Sequence, residues 1–164
     1  MLSPFEQQES HSERLPPPLP VQNDQDRLME AFVGKQYHEY YKEKFDLITA
    51  KKSIAGFNIA AFLLGVMWLF YRKMYVYGVA AIALMIGLGM LEDYLEISGT
   101  GSSIGMAVAF GLVGNTLYKQ FAEKKINALQ SEQAIKKAGG TNIWAGLAIF
   151  VIGVLLFILG SFAE

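Results

Sequence analysis

Asn58 and Asn115 are the most polar side chains within otherwise apolar stretches of this sequence, and they are the first candidates for chemistry. Asn58 lies in the charge-free stretch 54–71, and Asn115 lies in the charge-free stretch 104–118. Because an amide in hydrocarbon needs a hydrogen-bond partner, an interhelical contact worth about 0.5–2 kcal/mol is the structural interpretation, which we favour. The alternative is that the two amides line a path for a neutral solute.

Glu92 and Asp93 form the one acidic pair at the edge of an apolar stretch. Paired carboxylates can exchange protons or bind a metal ion, but no histidine, nucleophile or third ligand accompanies them. His11 and His38 lie apart in polar segments, and the chain has no cysteine for thiol chemistry or metal binding. We therefore predict no catalytic, cofactor-binding or metal-binding residue and expect that the protein is not an enzyme. An interfacial enzyme that uses the acidic pair is a remote alternative.

The charged residues divide the chain into two kinds of sequence. They make up 18% of the 164 residues, yet four stretches contain none: 54–71, 74–91, 104–118 and 143–162. A helix of about 20 residues crosses the roughly 30 Å of a bilayer's hydrocarbon core. The stretches therefore predict an all-α membrane protein. Because no ionisable side chain lies inside them, the proton and ion relays of pumps are not expected.

The basic residues indicate which stretches cross, because lysines and arginines collect on the cytoplasmic side of membrane proteins. Of the 14 basic residues, seven precede the first stretch, Arg72 and Lys73 follow it, none lies in 92–103, and five lie in 119–142. Four crossings would divide them evenly between the two sides. Three crossings, with the first stretch kept on the cytoplasmic side, place all 14 on that side. We favour three crossings, and a short fourth span is the alternative.

The predicted architecture is three transmembrane helices plus a cytoplasmic-side re-entrant or obliquely buried apolar segment, preceded by an amphipathic helix and a disordered N-terminal tail. The re-entrant segment is 54–71, which we expect to bend near Gly65. The three spans are predicted at 74–91, 102–118 and 143–162, and a cytoplasmic helix is predicted at 119–138.

The N-terminal part of the chain is predicted to face water. Residues 1–27 are rich in proline and glutamine, which predicts a disordered cytoplasmic tail, and their segment 14–20 (RLPPPLP) also fits a polyproline ligand. Residues 28–53 repeat aromatic and aliphatic side chains at steps of three and four, which predicts an amphipathic helix. The pattern leaves two positions open for that helix, the lipid headgroup layer and the protein's own cytoplasmic face.

Three glycines recur every seven residues in the last apolar stretch, at Gly146, Gly153 and Gly160. On a helix of about 3.5 residues per turn, this spacing forms a flat seam along one face. Such a seam lets a second helix approach closely. We therefore predict a helix-packing seam, either within the chain or between copies of it.

Two neighbouring segments, 56–62 (GFNIAAF) and 68–75 (WLFYRKMY), resemble the signature of the bacterial membrane family called domain of unknown function 2628. The pair Tyr40-Tyr41 and the run 115–118 (NTLY) resemble it as well. One departure is Val66-Met67, which stands where the family commonly has a Pro-containing pair, and this loss of a helix breaker favours a continuous helix. The resemblance implies a small multi-pass protein of the bacterial cytoplasmic (inner) membrane with no assigned reaction.

The same resemblance defines a predicted lipid-interface set. Tyrosines in it combine an apolar ring with a hydroxyl that stays in water, and the two basic residues are expected among lipid phosphates. The set comprises Phe57, Asn58, Trp68, Tyr71, Arg72, Lys73 and Tyr75.

Together these patterns predict a non-enzymatic scaffolding or regulatory module that engages lipid headgroups or a protein partner. Membrane lipids are the expected partners, with a second copy of the chain or another membrane protein as further candidates. The net charge of −1 provides no field for nucleic acid, and no cofactor is expected. The N-terminal tail is expected in the cytoplasm. The alternative function is a subunit of a neutral-solute channel or transporter.

Overall fold

The computed structural model describes residues 21–49, 52, 54 and 56–162, and the regular secondary structure of these residues is helical apart from the isolated bridge between Thr49 and Lys52. A π-helical turn at Tyr37–Tyr41 lies between the first two α-helices. The α-helices are α1 (Val21–Val33), α2 (Lys42–Leu47), α3 (Ile59–Leu64), α4 (Val66–Tyr71), α5 (Tyr75–Leu95), α6 (Thr100–Ala128), α7 (Glu132–Ala138) and α8 (Ile143–Ser161).

A compact aromatic core joins α1, the π-helical turn, α2 and α6. The rings of Phe32, Tyr41 and Phe45 lie with their centres 5.0–6.3 Å from the ring centre of Tyr118, and all four side chains are buried. Such tilted and edge-on contacts between aromatic rings are favourable beyond their buried area. We call this unit the base; it consists of α1, the π-helical turn, α2, α7 and the C-terminal half of α6. The aromatic stripe predicted in 28–53 therefore packs inside the protein.

The predicted boundaries in the N-terminal part need two corrections. α1 begins at Val21, so residues 21–27 are helical and not part of a disordered tail, while His11 and segment 14–20 lie outside the described residues. The predicted helix 28–53 is also divided, because Gly34 has φ +82° and ends α1. A glycine tolerates this left-handed backbone, which would strain other residues.

The predicted cytoplasmic helix 119–138 is also wrong as a single element. α6 continues without interruption to Ala128, and the chain is extended at Leu129 and Ser131. The hydroxyl of Ser131 then accepts a hydrogen bond of 3.3 Å from the amide of Ala134 and caps α7. Serine at this position satisfies one of the free amides of the helix start, which is why α7 begins anew here.

The apolar segment 54–71 forms two short helices that meet at Gly65. Asn58 caps the first of them, because its side-chain oxygen accepts a hydrogen bond of 2.9 Å from the amide of Ala61. Gly65 has φ +50° and ψ −122°, a backbone conformation that L-residues rarely adopt, and it separates α3 from α4. The bend that the sequence predicts near Gly65 is present. The loss of a proline at Val66-Met67 therefore does not leave a continuous helix, since the glycine alone interrupts it.

Two helical runs are long and apolar enough to cross a membrane, where the sequence predicts three. They are α5 and the run Glu132–Ser161, whose apolar part is α8. The share of the apolar window that is buried is 6% for the first and 0% for the second, so neither is a core helix of the base. The third prediction, 102–118, falls within α6. Its first half is apolar, but from Gly114 onwards α6 is polar and packs into the base, so the apolar run ends early.

Close contact between α3 and α6 depends on glycines of α6. A Cβ atom at Gly114 would lie 2.9 Å from the Cβ of Ala61, and one at Gly111 would overlap the ring of Phe57. Neither position leaves room for a side chain, so α3 can pack on α6 only where α6 carries glycine. Gly105 lies on the same helix, and a Cβ atom there would meet nothing within 4 Å.

Replacing Gly114 by leucine should therefore separate α3 from α6 and destabilise the protein by about 1–3 kcal/mol, the usual cost of overpacking. The matched control is Gly105→Leu, which adds the same side chain to the same helix in open space. Thermal unfolding of the purified chain in a mild detergent measures both. Equal melting temperatures for the two variants would contradict the packing of α3 on α6.

Candidate functional site

Arg72 occupies the junction between the base and the apolar helices. It caps the C-terminus of α4, and the chain turns at Lys73, which has φ +59°, before α5 begins at Tyr75. The Nζ of Lys73 donates a hydrogen bond of 3.0 Å to the carbonyl of Lys137 and ties this turn to α7. The side chain of Arg72 is 2% exposed. An arginine this deeply buried requires an explanation, because arginine is almost never buried unless it is paired.

Three tyrosine rings surround the guanidinium of Arg72. Its Cζ lies 4.8 Å from the ring centre of Tyr41, 4.9 Å from that of Tyr118 and 5.7 Å from that of Tyr71. A cation over the face of an aromatic ring is attracted by the ring's quadrupole, by about 2 kcal/mol when water is excluded. We call these three residues the tyrosine cage. They come from the π-helical turn, α4 and α6, so the cage joins three elements around one charge.

Hydrogen bonds fix the guanidinium within the cage. Nη2 of Arg72 donates to the hydroxyl of Tyr41 at 2.9 Å and to the side-chain oxygen of Gln36, and Nη1 donates to the hydroxyl of Tyr118 at 3.5 Å. Burial raises the pKa of the Tyr41 hydroxyl above its ordinary value, although the nearby charge of Arg72 acts in the opposite direction. The hydroxyl therefore stays protonated and neutral at physiological pH.

The positive charge of Arg72 has no negative partner within the described part of the chain. None of the ion pairs found there includes Arg72, and its Nε has no hydrogen-bond partner there either. Buried charges are normally paired, because an unpaired one loses the hydration that stabilises it in water. Neutral hydroxyls and ring faces offset only part of that loss. The buried charge would therefore be stabilised further by an anion bound at this site.

Arg72 lines a cleft of about 740 Å³ between the π-helical turn and the α3–α4 hairpin. The lining of this cleft, which we call the Arg72 cleft, contains both polar and apolar side chains. Gln36, Glu39 and Arg72 belong to its polar lining, and Ile59, Leu63 and Leu64 of α3 belong to its apolar lining. The three α3 side chains are exposed, so the apolar lining is open to the outside.

The two asparagines predicted within the apolar stretches bond to each other. Nδ2 of Asn58 donates to Oδ1 of Asn115 at 3.0 Å, and both side chains are buried. The backbone amide of Asn58 also donates to the carbonyl of Gly111 at 2.7 Å. The pair therefore connects α3 to α6 directly beside the cleft wall, which is the structural role that the sequence favours.

The structure separates the predicted lipid-interface set into inward and outward members. Asn58, Trp68 and Arg72 are buried, so Arg72 does not extend freely from the surface of the protein. Its guanidinium turns inwards because the tyrosine cage offers it contacts that an outward position lacks. Tyr75 remains partly exposed, and its hydroxyl accepts a hydrogen bond of 3.0 Å from Asn142. Phe57 is also partly exposed, with its ring at Gly111.

One glycine of the predicted seam is a packing position within the chain. A Cβ atom at Gly146 would lie 3.4 Å from the Cβ of Tyr71, so α4 and α8 approach closely there. Cβ atoms at Gly153 and Gly160 would meet nothing within 4 Å among the described residues. The remainder of the seam is thus open in a single copy of the chain.

The acidic pair and the histidine do not form a centre with the Arg72 cleft. Glu92 and Asp93 lie in the last turn of α5, and His38 pairs with Glu30 on the surface of the base at 3.1 Å. Within the described residues, no group of three or more histidine, aspartate or glutamate side chains is placed to hold a metal ion.

Sequence reasoning missed the partners of Arg72. Gln36, Tyr41 and Tyr118 are 31 to 46 residues distant from it along the chain, and no periodic pattern connects positions so far apart. One signal was available: the tyrosines at 41 and 118 both belong to segments that resemble the same family as the Arg72 segment.

The sequence of the chain matches a known protein family. Residues 22–124 match the family described as "Protein of unknown function (DUF2628)", which is more than half of the chain. That span contains Gln36, the tyrosine cage, Arg72 and both asparagines, whereas α8 and its glycines lie beyond it. No curated protein and no solved structure matches the chain.

The hydrogen bond between Asn58 and Asn115 should appear as a coupling free energy of about 0.5–2 kcal/mol. Asn58→Ser removes the amide donor but retains an oxygen that can cap α3, and Asn115→Ala removes the acceptor. A double-mutant cycle on chemical unfolding in detergent isolates the pair. Additive effects of the two substitutions would show that the amides do not stabilise the α3–α6 contact.

Proposed function

The chain belongs to the DUF2628 family of proteins of unknown function, and we propose that it is a multi-pass membrane protein that acts as a non-enzymatic scaffolding or regulatory module at the headgroup layer. In this proposal the base lies in the cytoplasm, against the inner face of a bacterial cytoplasmic membrane. The apolar helices anchor it, and the junction between base and helices engages lipid headgroups.

The proposal rests mainly on one observation: α5 and α8 begin side by side at the end of α4. The amide of Asn142 donates to the carbonyl of Tyr71 at 2.7 Å, and its side chain donates to the hydroxyl of Tyr75 at 3.0 Å. The first residues of both helices are therefore fixed to the end of α4. From this point two exposed apolar helices leave a well-packed base, which supports a boundary between water and lipid at this level.

The first half of α6 fits a third membrane element. Ile104, Val108 and Leu112 are exposed on it, and residues 100–113 extend for about 20 Å at 1.5 Å per residue. That length is short of the hydrocarbon core, but the helix continues into the base without a break. A thinned bilayer or a buried helix end accommodates such a shortfall at modest cost.

The α3–α4 hairpin fits a re-entrant element whose tip is Gly65. An apolar cavity of about 500 Å³ is lined by Gly65 together with Met85 of α5, Phe110 of α6 and Phe150 of α8. The tip of the hairpin therefore lies among the three apolar helices, while Asn58 and Arg72 at its two ends lie near the base. Non-helical backbone at membrane depth is tolerated when protein surrounds it, and three helices here provide that surrounding.

The charge pattern supports the orientation. Lys73, Lys119 and Lys137 lie on the base side, whereas Glu92, Asp93 and Glu96 lie at or beyond the far end of α5. Lysines and arginines favour the cytoplasmic side of a membrane. We therefore propose a cytoplasmic base and an exterior loop between α5 and α6. The alternative of a neutral-solute channel has less support, because Asn58 and Asn115 bond to each other instead of lining a path.

The absence of cysteine from the chain permits a direct test of this topology. Single cysteines at Ser98, Lys73 and Ser131 are exposed to a membrane-impermeant thiol reagent, first in intact bacteria and then in permeabilised bacteria. We expect labelling at position 98 in intact bacteria and labelling at 73 and 131 only after permeabilisation.

Permeabilised bacteria are the control, because each cysteine must react there before its protection in intact bacteria has meaning. Comparable labelling of positions 73 and 98 in intact bacteria would show that the hairpin crosses the membrane. Labelling at 131 and not at 98 would invert the proposed orientation.

A further inference from the structure

We propose that the Arg72 cleft binds a phosphodiester lipid, with the phosphate at Arg72 and an acyl chain along the outer face of α3. The inference rests on the proposed function, because the cleft can receive a lipid only if α3 borders a membrane. It adds to that function a defined binding site and a chemical class of ligand.

The buried positive charge of Arg72 favours an anionic ligand in the cleft. The guanidinium is 2% exposed, belongs to no ion pair among the described residues and has an Nε without a hydrogen-bond partner there. A hydrogen bond from an arginine N–H to a phosphate oxygen is charge-assisted, and such bonds are about twice as strong as neutral ones. A phosphate at this position supplies both the missing negative charge and an acceptor for the free N–H.

The guanidinium of Arg72 is also preorganised for binding. Gln36 and the hydroxyls of Tyr41 and Tyr118 hold the guanidinium by its two terminal nitrogens, so the side chain is fixed before a ligand arrives. A ligand therefore need not immobilise a flexible arginine, which lowers the entropic cost of binding. The protonated hydroxyl of Tyr41 adds no negative charge that would repel the phosphate.

The exposed apolar side chains of the cleft favour a lipid over a free phosphate. Leu63 is 68% exposed, and Ile59 and Leu64 are exposed beside it on the same cleft. Apolar side chains gain free energy when a hydrocarbon chain covers them. A cleft that is lined by both a buried cation and exposed leucines matches an amphiphile in polarity.

The carboxylate of Glu39 narrows the class of headgroup. It lines the same cleft and is absent from the ion pairs of the described residues, so it repels a ligand with a large negative charge. A phosphodiester carries one negative charge, whereas a phosphomonoester carries up to two at neutral pH. The site therefore favours the singly charged phosphodiester of an ordinary phospholipid, such as phosphatidylglycerol, over a phosphomonoester.

Trp68 provides a local signal for the test. It lines the cleft and is buried, and the chain's other tryptophan, Trp144, is exposed on α8. In a Trp144→Phe background, the full-length chain in neutral detergent is titrated with three probes: short-chain phosphatidylglycerol, short-chain diacylglycerol, which lacks the phosphate, and inorganic phosphate. Trp68 fluorescence and the melting temperature are followed together.

We expect phosphatidylglycerol to change the Trp68 fluorescence and raise the melting temperature saturably, at concentrations where diacylglycerol and inorganic phosphate have much smaller effects. Arg72→Gln should weaken this binding by about tenfold or more, because a hydrogen-bonded charge is lost. Arg27→Gln is the matched control, since it removes the same charge from an exposed position of the base and should leave binding unchanged.

A second variant keeps the test decisive if Arg72→Gln does not fold. Leu63→Glu changes an exposed side chain, so folding should persist, while the new carboxylate lies where the acyl chain is expected. It should weaken phosphatidylglycerol binding by about tenfold as well. Retained affinity in Leu63→Glu would overturn the placement of the chain.

The remaining outcomes also decide the inference. Equal effects of phosphatidylglycerol and diacylglycerol would overturn recognition of the phosphate by Arg72, and a full effect of inorganic phosphate alone would overturn the choice of a lipid as ligand. The cysteine topology experiment separates this inference from the proposed function. A correctly inserted chain without headgroup discrimination would refute the binding site and leave the membrane proposal intact.

Discussion

The position of one buried charge determines how the rest of this molecule is arranged. The guanidinium of Arg72 is enclosed by tyrosines that belong to the π-helical turn, α4 and α6, and its hydrogen bonds reach Gln36, Tyr41 and Tyr118. Because an unsatisfied buried charge is costly, these three elements must remain together for the fold to be stable. The same residue stands where the base ends and the apolar helices begin. One interaction therefore connects the packed aromatic core to the segments proposed to enter lipid.

The contacts around the cage position the other elements. Glycines at 111 and 114 let α3 approach α6, and the bond between Asn58 and Asn115 fixes the register of the two helices. Asn142 ties the starts of α5 and α8 to the end of α4. The result is a hairpin held at both ends beside the base, with its Gly65 tip among the apolar helices. This arrangement leaves the Arg72 cleft open between the hairpin and the π-helical turn.

Local features of the fold were predictable from the sequence, and long-range ones were not. α5 and α8 lie within four residues of the predicted spans because long uncharged runs carry a strong signal. The bend at Gly65 and the partnering of the two asparagines follow from glycine's backbone freedom and from the need of a buried amide for a partner. The division of 28–53 at Gly34 and the inward turn of Arg72 were missed. Charge counting treats every arginine as a surface group, and it contains no information about tyrosines that lie more than 30 residues away.

Hydrogen exchange tests the central claim most directly, since it measures whether one residue holds separate elements together. Amide exchange of the full-length chain in lipid nanodiscs is compared between the native protein and Arg72→Met, which retains a side chain of similar length without the charge. We expect that amide exchange in Arg72→Met becomes faster in the π-helical turn, in α4 and in α6 from Gly114 to Ile126 at the same time. Amide exchange in the apolar part of α8 should not change. Faster exchange confined to the few residues next to position 72 would contradict this expectation.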